Sequence, residues 1–245
     1  MEKIFGLPEG CTNKTHSYCP GCMHGVAMNV LMHTIEKFGV LDNLVIVNPV
    51  GCGGLGLYEA TANYVSAAHG RASAVATGIK RCSPESFVIA YQGDGDLAGI
   101  GIAETIHTAA RGENITVFFA NNTTYGMTGG QMAPTTMIGQ ASTTTPGGRK
   151  PELQGYPLKM AEMIAQLDAP AYVERVALYD SKHVIRATKA FEKAFEVNKK
   201  GGYAFIEMLT NCPTNWKMTP EQTIDQIKNF NEQVFPLGIF KDKEL

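Results

Sequence analysis

The hydrophobic and polar positions follow two alternating patterns along the chain. Short, almost continuous apolar runs are typical of strands buried on both faces, and they cover residues 44–47, 86–91, 115–120, 172–177 and 203–209. Between them, apolar residues at helical spacing predict helices over 25–38, 72–81, 99–111, 160–167 and 182–198. Strands that alternate with helices predict an α/β fold with a mostly parallel sheet and helices on both faces. With no internal repeat or linker in the sequence, we expect a single domain over residues 1–245.

One segment, residues 121–157, interrupts this alternation. It has little periodicity and is rich in Thr, Gly and Pro. A structureless loop of this length inside a compact domain is usually functional or disordered. Gly129-Gly130-Gln131 and the run from Thr143 to Arg149 would supply donors for an anion, while a mobile surface loop is the alternative interpretation.

Composition narrows the function classes. The 245 residues contain 21 Lys and Arg against 23 Asp and Glu, so no basic excess favours nucleic acid or an anionic membrane as a partner. No apolar run reaches the length of a transmembrane helix, and the first residues do not form a signal peptide. We therefore expect a soluble, cytoplasmic protein. The 26 glycines indicate many tight turns or close approaches of the backbone.

The sequence contains six cysteines. Without a secretion signal, metal or redox chemistry is favoured over disulfides. The Cys19-Pro20-Gly21-Cys22 turn, Cys52 and Cys212 all lie in Gly- or Pro-containing loops where a backbone can wrap a cluster. Cys11 and Cys82 lack that context, and we expect both to be uninvolved thiols with no assigned role.

The central motif is Gly93-Asp94-Gly95-Asp96, which follows a predicted strand and opens a helix. Ligands of open α/β sheets bind at the carboxyl ends of strands, and helix N-termini offer N–H groups to phosphate. The motif fits the dinucleotide fingerprint only loosely, because its two acids would repel a bare pyrophosphate. The next strand also ends on Asn121-Asn122 and not on a ribose-binding acid, which weakens the case for a nicotinamide dehydrogenase.

A cation between Asp94 and the phosphates would remove this repulsion. Mg²⁺ prefers oxygen ligands, usually a carboxylate with phosphate oxygens and waters. Asn122 follows the adjacent strand, and its amide oxygen can complete the ligand set. A structural turn with a capping Asp94 is the alternative interpretation.

An acid-Gly pair, a helix, a strand and then Asn-Asn is the signature of thiamine-diphosphate enzymes. At this point the chain resembles the β subunit of 2-oxoacid:ferredoxin oxidoreductases over nearly its whole length. The motifs that carry the resemblance are Tyr18–Gly25, Gly51-Cys52, His69-Gly70-Arg71, Gly93–Asp96, Asn122–Gln131 and Cys212-Pro213-Thr214. Met23 departs from the pattern, since the family commonly has Gly there.

The resemblance implies a thiamine-diphosphate-binding fold that holds thiamine diphosphate, Mg²⁺ and one 4Fe–4S cluster. The Mg²⁺ ligands it implies are Asp94, Asn122 and the carbonyl of Thr124. The positions it places along thiamine diphosphate are Val50, Gly51, Cys52, Gly53, His69, Gly95, Gly126 and Met127. The cluster ligands it implies, on loops near the two ends of the domain, are Cys19, Cys22, Cys52 and Cys212. Structural zinc is the rival for four cysteines.

The implied catalytic groups are divided between subunits. His24 and His69 are candidates on this chain, with a hydrogen-bonded structural histidine as the alternative for each. The glutamate that activates the cofactor is expected on a partner α subunit. Subunits γ and a ferredoxin-like δ are further candidate partners, and ferredoxin is the implied electron acceptor.

The implied activity is oxidative decarboxylation of a 2-oxoacid with coenzyme A, which gives acyl-CoA, CO₂ and reduced ferredoxin. Relatives that use oxoglutarate carry a basic residue where this chain has Leu55, and no Lys or Arg lies between Cys52 and Arg71. An unpaired buried carboxylate is costly, so we expect a branched-chain substrate such as 2-oxoisovalerate. Arg149 or a base of the partner subunit would still allow 2-oxoglutarate, and pyruvate also stays open. A non-catalytic iron–sulfur or zinc scaffold subunit is the alternative from another class.

Overall fold

The structure, a computed structural model, describes residues 6–12 and 14–245. The predicted domain of 1–245 thus includes residues 1–5 and 13, which lie outside the described part. The strands are β1 (Leu44–Asn48), β2 (Asn63–Ser66), β3 (Phe87–Gly93), β4 (Thr116–Asn121), β5 (Thr124–Tyr125), β6 (Gln131–Met132), β7 (Tyr172–Ala177), β8 (Ala204–Leu209) and β9 (Gly238–Asp242). The α-helices are α1 (His24–Phe38), α2 (Ala72–Cys82), α3 (Ile102–Ala110), α4 (Pro151–Gln154), α5 (Met160–Ala165), α6 (Ser181–Lys199), α7 (Pro213–Trp216), α8 (Pro220–Gln226) and α9 (Glu232–Val234).

Short 3₁₀-helical and π-helical segments complete the secondary structure. The 3₁₀ segments cover Leu41–Asn43 and Cys52–Tyr58, and the π-helical segments cover Gly95–Ile100 and Ile227–Asn231. The first π segment directly follows β3 and leads into α3, so the helix after the central motif begins earlier than the sequence pattern predicted.

Seven strands form the main sheet in the order β2-β1-β3-β4-β8-β7-β9. All neighbours are parallel except β7 and β9, while β5 and β6 form a separate antiparallel pair. The predicted mostly parallel sheet is confirmed. The five strands expected from apolar runs are the five central ones, and the two edge strands were not predicted.

Neighbouring residues of each central strand face opposite cores. Ile89 and Phe118 belong to one apolar cluster, which also holds Phe191 of α6. Val88 and Val117 belong to the other, which the small residues of α2 and α5 complete. Each strand therefore buries both faces, which stabilises the sheet by removing apolar surface from water and explains the continuous apolar runs.

Parallel pairing brings the carboxyl ends of β1, β3, β4 and β8 to one edge of the sheet. These four strands are consecutive neighbours in the sheet, and the motif residues 50–53, 93–96, 122–131 and 212–214 follow their ends. The topology thus gathers segments that are far apart in sequence. No helix in the described ranges is long and apolar enough to cross a membrane.

Candidate functional site

A shallow cavity of about 60 Å³ lies at this edge of the sheet. Its lining contains every residue that the sequence assigned to Mg²⁺ and to thiamine diphosphate, together with His24. The lining residues are His24, Val50, Gly51, Cys52, Gly53, His69, Gly93, Asp94, Gly95, Asp96, Asn122, Thr124, Tyr125, Gly126, Met127 and Thr128. A larger cavity of about 790 Å³ lies between residues 137–146 and 215–234, and the motif residues do not line it. We therefore locate the site by its chemistry and not by cavity size.

Asp94, the predicted Mg²⁺ ligand, caps the π-helical segment that follows β3. Its Oδ1 accepts from the N–H of Gly95 at 3.0 Å, and its Oδ2 accepts from the N–H of Thr124 at 3.0 Å and from the Thr135 hydroxyl at 2.9 Å. The side chain is buried, and burial raises its pKa to about 7 although the hydrogen bonds oppose the rise. A cation beside Asp94 would favour the ionised carboxylate. The capping interpretation is thus confirmed by the Gly95 contact, while the role of Asp94 as a Mg²⁺ ligand stays a prediction.

The oxygen atoms of Asp94 and Asn122 converge. The N–H of Thr124 donates to Asp94 Oδ2 and also to Asn122 Oδ1, at 3.2 Å. The backbone carbonyl of Asn122 accepts from the Trp216 indole N–H at 3.1 Å, which fixes the backbone of this residue. A carboxylate oxygen and an amide oxygen that meet at one point form a donor set suited to Mg²⁺.

Asp96 has a different role from Asp94. Its Oδ1 accepts from the N–H of Gly70 at 2.8 Å and its Oδ2 from the Gln92 side-chain amide at 2.5 Å. Burial raises the pKa of Asp96, and these hydrogen bonds oppose the rise. Asp96 thereby holds the segment that carries His69, whose Nε2 is buried and has no hydrogen-bond partner among the described atoms. A buried ring nitrogen without a partner, on a histidine that lines the cavity, is suited to contact a polar ligand.

Glycines leave room in the cavity wall. A Cβ at Gly51 or Gly93 would meet nothing within 4 Å, and Gly51 also has a φ of +115° that disfavours other residues. A Cβ at Gly95 would instead collide with the ring of Tyr125, which packs over this glycine. The glycines therefore allow close backbone approach of a phosphate-sized group and of one aromatic ring.

His24 is held in the wall by aromatic neighbours. Its Nδ1 lies 2.7 Å from the Tyr91 hydroxyl, and its ring stacks on Tyr18 with centroids 5.2 Å apart. Burial lowers its pKa to about 4, so the imidazole is neutral near pH 7. A neutral histidine in this position orients or shares a proton with Tyr91 and does not supply a positive charge.

Two of the four cysteines assigned to the cluster lie close together beside the cavity. One point, the place of a Cβ on Gly126, lies 3.2 Å from Cys52 Sγ and 3.7 Å from Cys212 Sγ. Burial raises the pKa of Cys22 to about 12, with the Cys212 and Cys52 thiols adding to the rise. Such thiols ionise readily only when a metal compensates the charge.

Cys19 lies near enough to the same thiols to affect their ionisation. Burial raises the pKa of Cys52 to about 11, and the thiols of Cys212 and Cys19 add to that rise. By contrast, the acids Glu59 and Glu36 are the charged neighbours of Cys11, whose pKa burial also raises. Cys82 ends α2 at an exposed position. The thiols of the four predicted ligands thus influence one another, whereas Cys11 has acidic neighbours.

Asn211 joins the two cysteine loops. It is buried, and its Nδ2 donates to the carbonyl of Gly21 at 2.9 Å while its Oδ1 accepts from the N–H of Met23 at 2.8 Å. Met23 itself packs in the main core. Asn215 makes a second link, since its amide donates to the carbonyl of Gly126 at 2.7 Å and to Cys212 Sγ at 3.2 Å. Sequence reasoning missed both asparagines, because the contacts with Gly21, Met23 and Gly126 that reveal their role are distant in sequence.

Arg149 does not reach into the cavity. Its guanidinium is buried and donates to five backbone carbonyls, which belong to Pro134, Thr136, Gln154, Gly155 and Tyr156. All five of its N–H donors are therefore used inside the long loop. The expectation that Arg149 could pair with a substrate carboxylate is wrong in this conformation, and the mobile-loop interpretation is also disfavoured. Leu55 packs against the core and does not line the cavity, so its contact with substrate stays a prediction.

Three comparisons with known proteins bear on this geometry. Residues 55–208 match the model of the thiamine pyrophosphate enzyme C-terminal, TPP-binding domain. Ketoisovalerate oxidoreductase subunit VorA of Methanothermobacter thermautotrophicus is 44% identical over 244 residues, which are 99% of this chain and 51% of that protein. 2-Oxoglutarate synthase subunit KorB of Methanocaldococcus jannaschii is 33% identical over 93% of this chain and 81% of its own length.

A solved structure shares the fold. The 2-oxoglutarate:ferredoxin oxidoreductase from Magnetococcus marinus, with 2-oxoglutarate, coenzyme A and succinyl-CoA bound, superposes with a TM-score of 0.78 at 21% identity. The match covers 99% of this chain and 87% of that chain. This chain spans about half the length of the VorA relatives that it matches. The domain match and the KorB relative show that the chain belongs to the thiamine-pyrophosphate-binding β subunits of 2-oxoacid:ferredoxin oxidoreductases.

Proposed function

We propose that this chain is the catalytic β subunit of a cytoplasmic 2-oxoacid:ferredoxin oxidoreductase that converts a branched-chain 2-oxoacid and coenzyme A to acyl-CoA and CO₂. The observation that carries the proposal is the convergence of the Asp94 and Asn122 oxygens beside the thiols of Cys52 and Cys212. A diphosphate–Mg²⁺ site next to a thiolate cluster is the arrangement that this reaction needs. Thiamine diphosphate and a 4Fe–4S cluster, when bound, supply the decarboxylation chemistry and single-electron transfer.

The chain's own residues would bind and orient the cofactors and exclude water from them. Asp94, Asn122 and the Thr124 carbonyl would hold Mg²⁺, while the N–H of Gly95 donates to Asp94 Oδ1 and keeps the carboxylate in place. His69 would use its free Nε2 on the cofactor or substrate, and neutral His24 would hold Tyr91 in the wall. Cys19, Cys22, Cys52 and Cys212 would ligate the cluster.

The residue set around the cavity favours a substrate with an apolar side chain. The described residues that line it include no Lys or Arg, and Arg149 is used within its own loop. A second carboxylate on the substrate would thus lack a cationic partner on this chain. The similarity to proteins named ketoisovalerate oxidoreductase supports 2-oxoisovalerate over 2-oxoglutarate and pyruvate.

Partner subunits are part of the proposal. The cavity is small, about 60 Å³, no glutamate of the described residues lines it, and the side chains of Val50 and Met127 in its lining are about half exposed. We infer that an α subunit covers this rim and provides the activating glutamate, and that ferredoxin takes the electrons directly or through γ and δ subunits. The six cysteines are free, in keeping with a reducing compartment.

The rival proposal is a zinc scaffold. Zinc requires its thiolates about 2.3 Å from a single ion. The four thiols are near enough to influence each other's pKa. Four thiolates suit zinc as well as a 4Fe–4S cluster, so the metal content of the purified complex decides between the two proposals.

The test is purification of the native complex without oxygen, followed by dye reduction with a panel of oxoacids and coenzyme A. We expect iron with acid-labile sulfide, bound thiamine diphosphate, and the highest kcat/KM for 2-oxoisovalerate. A highest kcat/KM for 2-oxoglutarate or pyruvate would overturn the substrate assignment alone. Zinc without iron, or a complex that reduces no dye with any oxoacid, would overturn the enzyme assignment.

A further inference from the structure

Thr123 has a backbone conformation that its residue type disfavours. Its φ is +58°, in the left-handed region, and it is one of two non-glycine residues with positive φ in the described part of the chain. A β-branched residue in this region is a true outlier, because Cβ crowds the backbone there. Thr123 stands between Asn122 and Thr124, the two residues of this segment assigned to Mg²⁺.

Thr123 is fully buried, and each of its polar atoms has a partner. Its N–H donates to Asn121 Oδ1 at 3.2 Å, its carbonyl accepts from the Thr136 hydroxyl at 2.6 Å, and its own hydroxyl accepts from Gln140 Nε2 at 2.7 Å. Three separate contacts therefore hold a conformation that the residue would otherwise leave. Strain of this kind persists only where the surroundings over-determine it.

The groups that hold Thr123 are themselves fixed. Asn121 donates to Glu207 Oε1 at 2.8 Å, and the buried Arg175 donates to Glu207 Oε2 at 2.9 Å. On the other side, the Thr136 carbonyl accepts from Arg149 at 2.7 Å, and the N–H of Arg149 donates to the carbonyl of Gln140 at 3.1 Å. The long loop and the sheet thus meet at one residue.

We propose that Thr123 is a positioning residue, whose left-handed backbone, held by Gln140, Thr136 and Asn121, turns Asn122 and Thr124 toward Asp94 before Mg²⁺ binds. This inference rests on the proposed function, because it takes these three residues as the ligand set. The ion then binds to oxygens that are already in place. Its apparent affinity is the intrinsic affinity multiplied by the fraction of molecules in which Thr123 keeps this conformation.

The test measures Mn²⁺ as a probe for Mg²⁺. Free Mn²⁺ is followed by electron paramagnetic resonance as it is titrated, with thiamine diphosphate, into the anoxic complex. Gln140→Leu removes the donor to the Thr123 hydroxyl, and we expect its Kd for Mn²⁺ to rise about tenfold, as when about a tenth of the molecules keep the competent conformation. Thr123→Val keeps the β-branched shape but loses the acceptor, and it should weaken Mn²⁺ by a similar factor.

The double variant Thr123→Gly/Gln140→Leu separates positioning from general support. Glycine adopts positive φ without help, so the double variant should return to within about threefold of the wild-type Kd. Thr34→Val is the matched control, because Thr34 is a buried threonine of α1 whose hydroxyl donates to the Val30 carbonyl and not to any group around Thr123. Its Kd should not change.

The outcomes separate this inference from the proposed function. Wild-type affinity in both single variants, or a double variant as weak as Gln140→Leu alone, would overturn the positioning role of Thr123. If the wild-type complex itself binds no Mn²⁺ with thiamine diphosphate, the proposed function fails first. Weak single variants with rescue by glycine would support the inference.

Discussion

Replacing Arg149 by methionine tests how the long loop is held. Its buried guanidinium gathers five carbonyls from two turns, at donor–acceptor distances between 2.7 and 3.1 Å. Methionine has a similar length but no donor, so Arg149→Met leaves these carbonyls without their partner. Lysine keeps the charge but offers three donors that cannot match the planar fork.

The magnitude follows from the number of bonds. A net hydrogen bond contributes about 1 kcal/mol, and those to charged groups contribute about 1.5–3 kcal/mol. Five such bonds set the upper limit for the loss of unfolding free energy. The actual loss is smaller, because carbonyls that become exposed after local opening form hydrogen bonds to water. Burial lowers the pKa of Arg149, which shows that desolvation also opposes the charged group. We expect Arg149→Met to lower the free energy of unfolding by about 3–5 kcal/mol and Arg149→Lys by roughly half of that.

Denaturant unfolding and limited proteolysis measure this effect. The methionine variant should become sensitive to cleavage within residues 133–156 before global unfolding. Arg186→Met is the control, because Arg186 pairs with Glu174 at 3.2 Å from a position that is 46% exposed, and such a pair contributes about 1 kcal/mol or less. If Arg149→Met unfolds like the wild type while KM for 2-oxoglutarate rises, Arg149 binds substrate and the structural role is refuted.

Three further predictions concern the site. Cys212→Ser should lose or degrade the cluster, since a hydroxyl poorly replaces a thiolate, whereas Cys82→Ser should keep it; equal iron content in the two variants would refute the choice of ligands. Gly95→Ala should weaken thiamine diphosphate by at least tenfold because its Cβ meets the Tyr125 ring, and unchanged binding by calorimetry would contradict the packing at this residue. The separately expressed chain, reconstituted with cluster, Mg²⁺ and cofactor, should show no decarboxylase activity until the α subunit is added, and turnover equal to that of the complex would show that the whole site lies on one chain.

The sequence pattern predicted the centre of the sheet and left out its edges. Strands buried on both faces need continuous apolar residues, as in Ile115–Ala120, and such runs can be recognised in the sequence. β2 and β9 are partly exposed and have no continuous apolar run. They are strands because of their hydrogen bonds to neighbouring strands, and a local sequence pattern does not encode these bonds. The short π-helical start at Gly95 likewise depends on the cap by Asp94.

The candidate ligands were visible in the sequence because they lie in compact motifs at the ends of strands. The residues that support them were not. Thr135 contacts Asp94 across 41 positions of the chain, and Asn211 contacts Met23 across 188. Arg149 was noticed only as a free cation in a polar loop, since its carbonyl partners carry no sequence signal.

The central claim is that Asp94 holds the ion through which this chain binds thiamine diphosphate. The most direct measurement is the amount of Mg²⁺ and thiamine diphosphate retained per β chain in the purified complex, compared between the wild type and Asp94→Ala. The account predicts one of each in the wild type and neither in the variant, because the buried carboxylate is the one charged ligand assigned to the ion. Stoichiometric thiamine diphosphate in Asp94→Ala would contradict it.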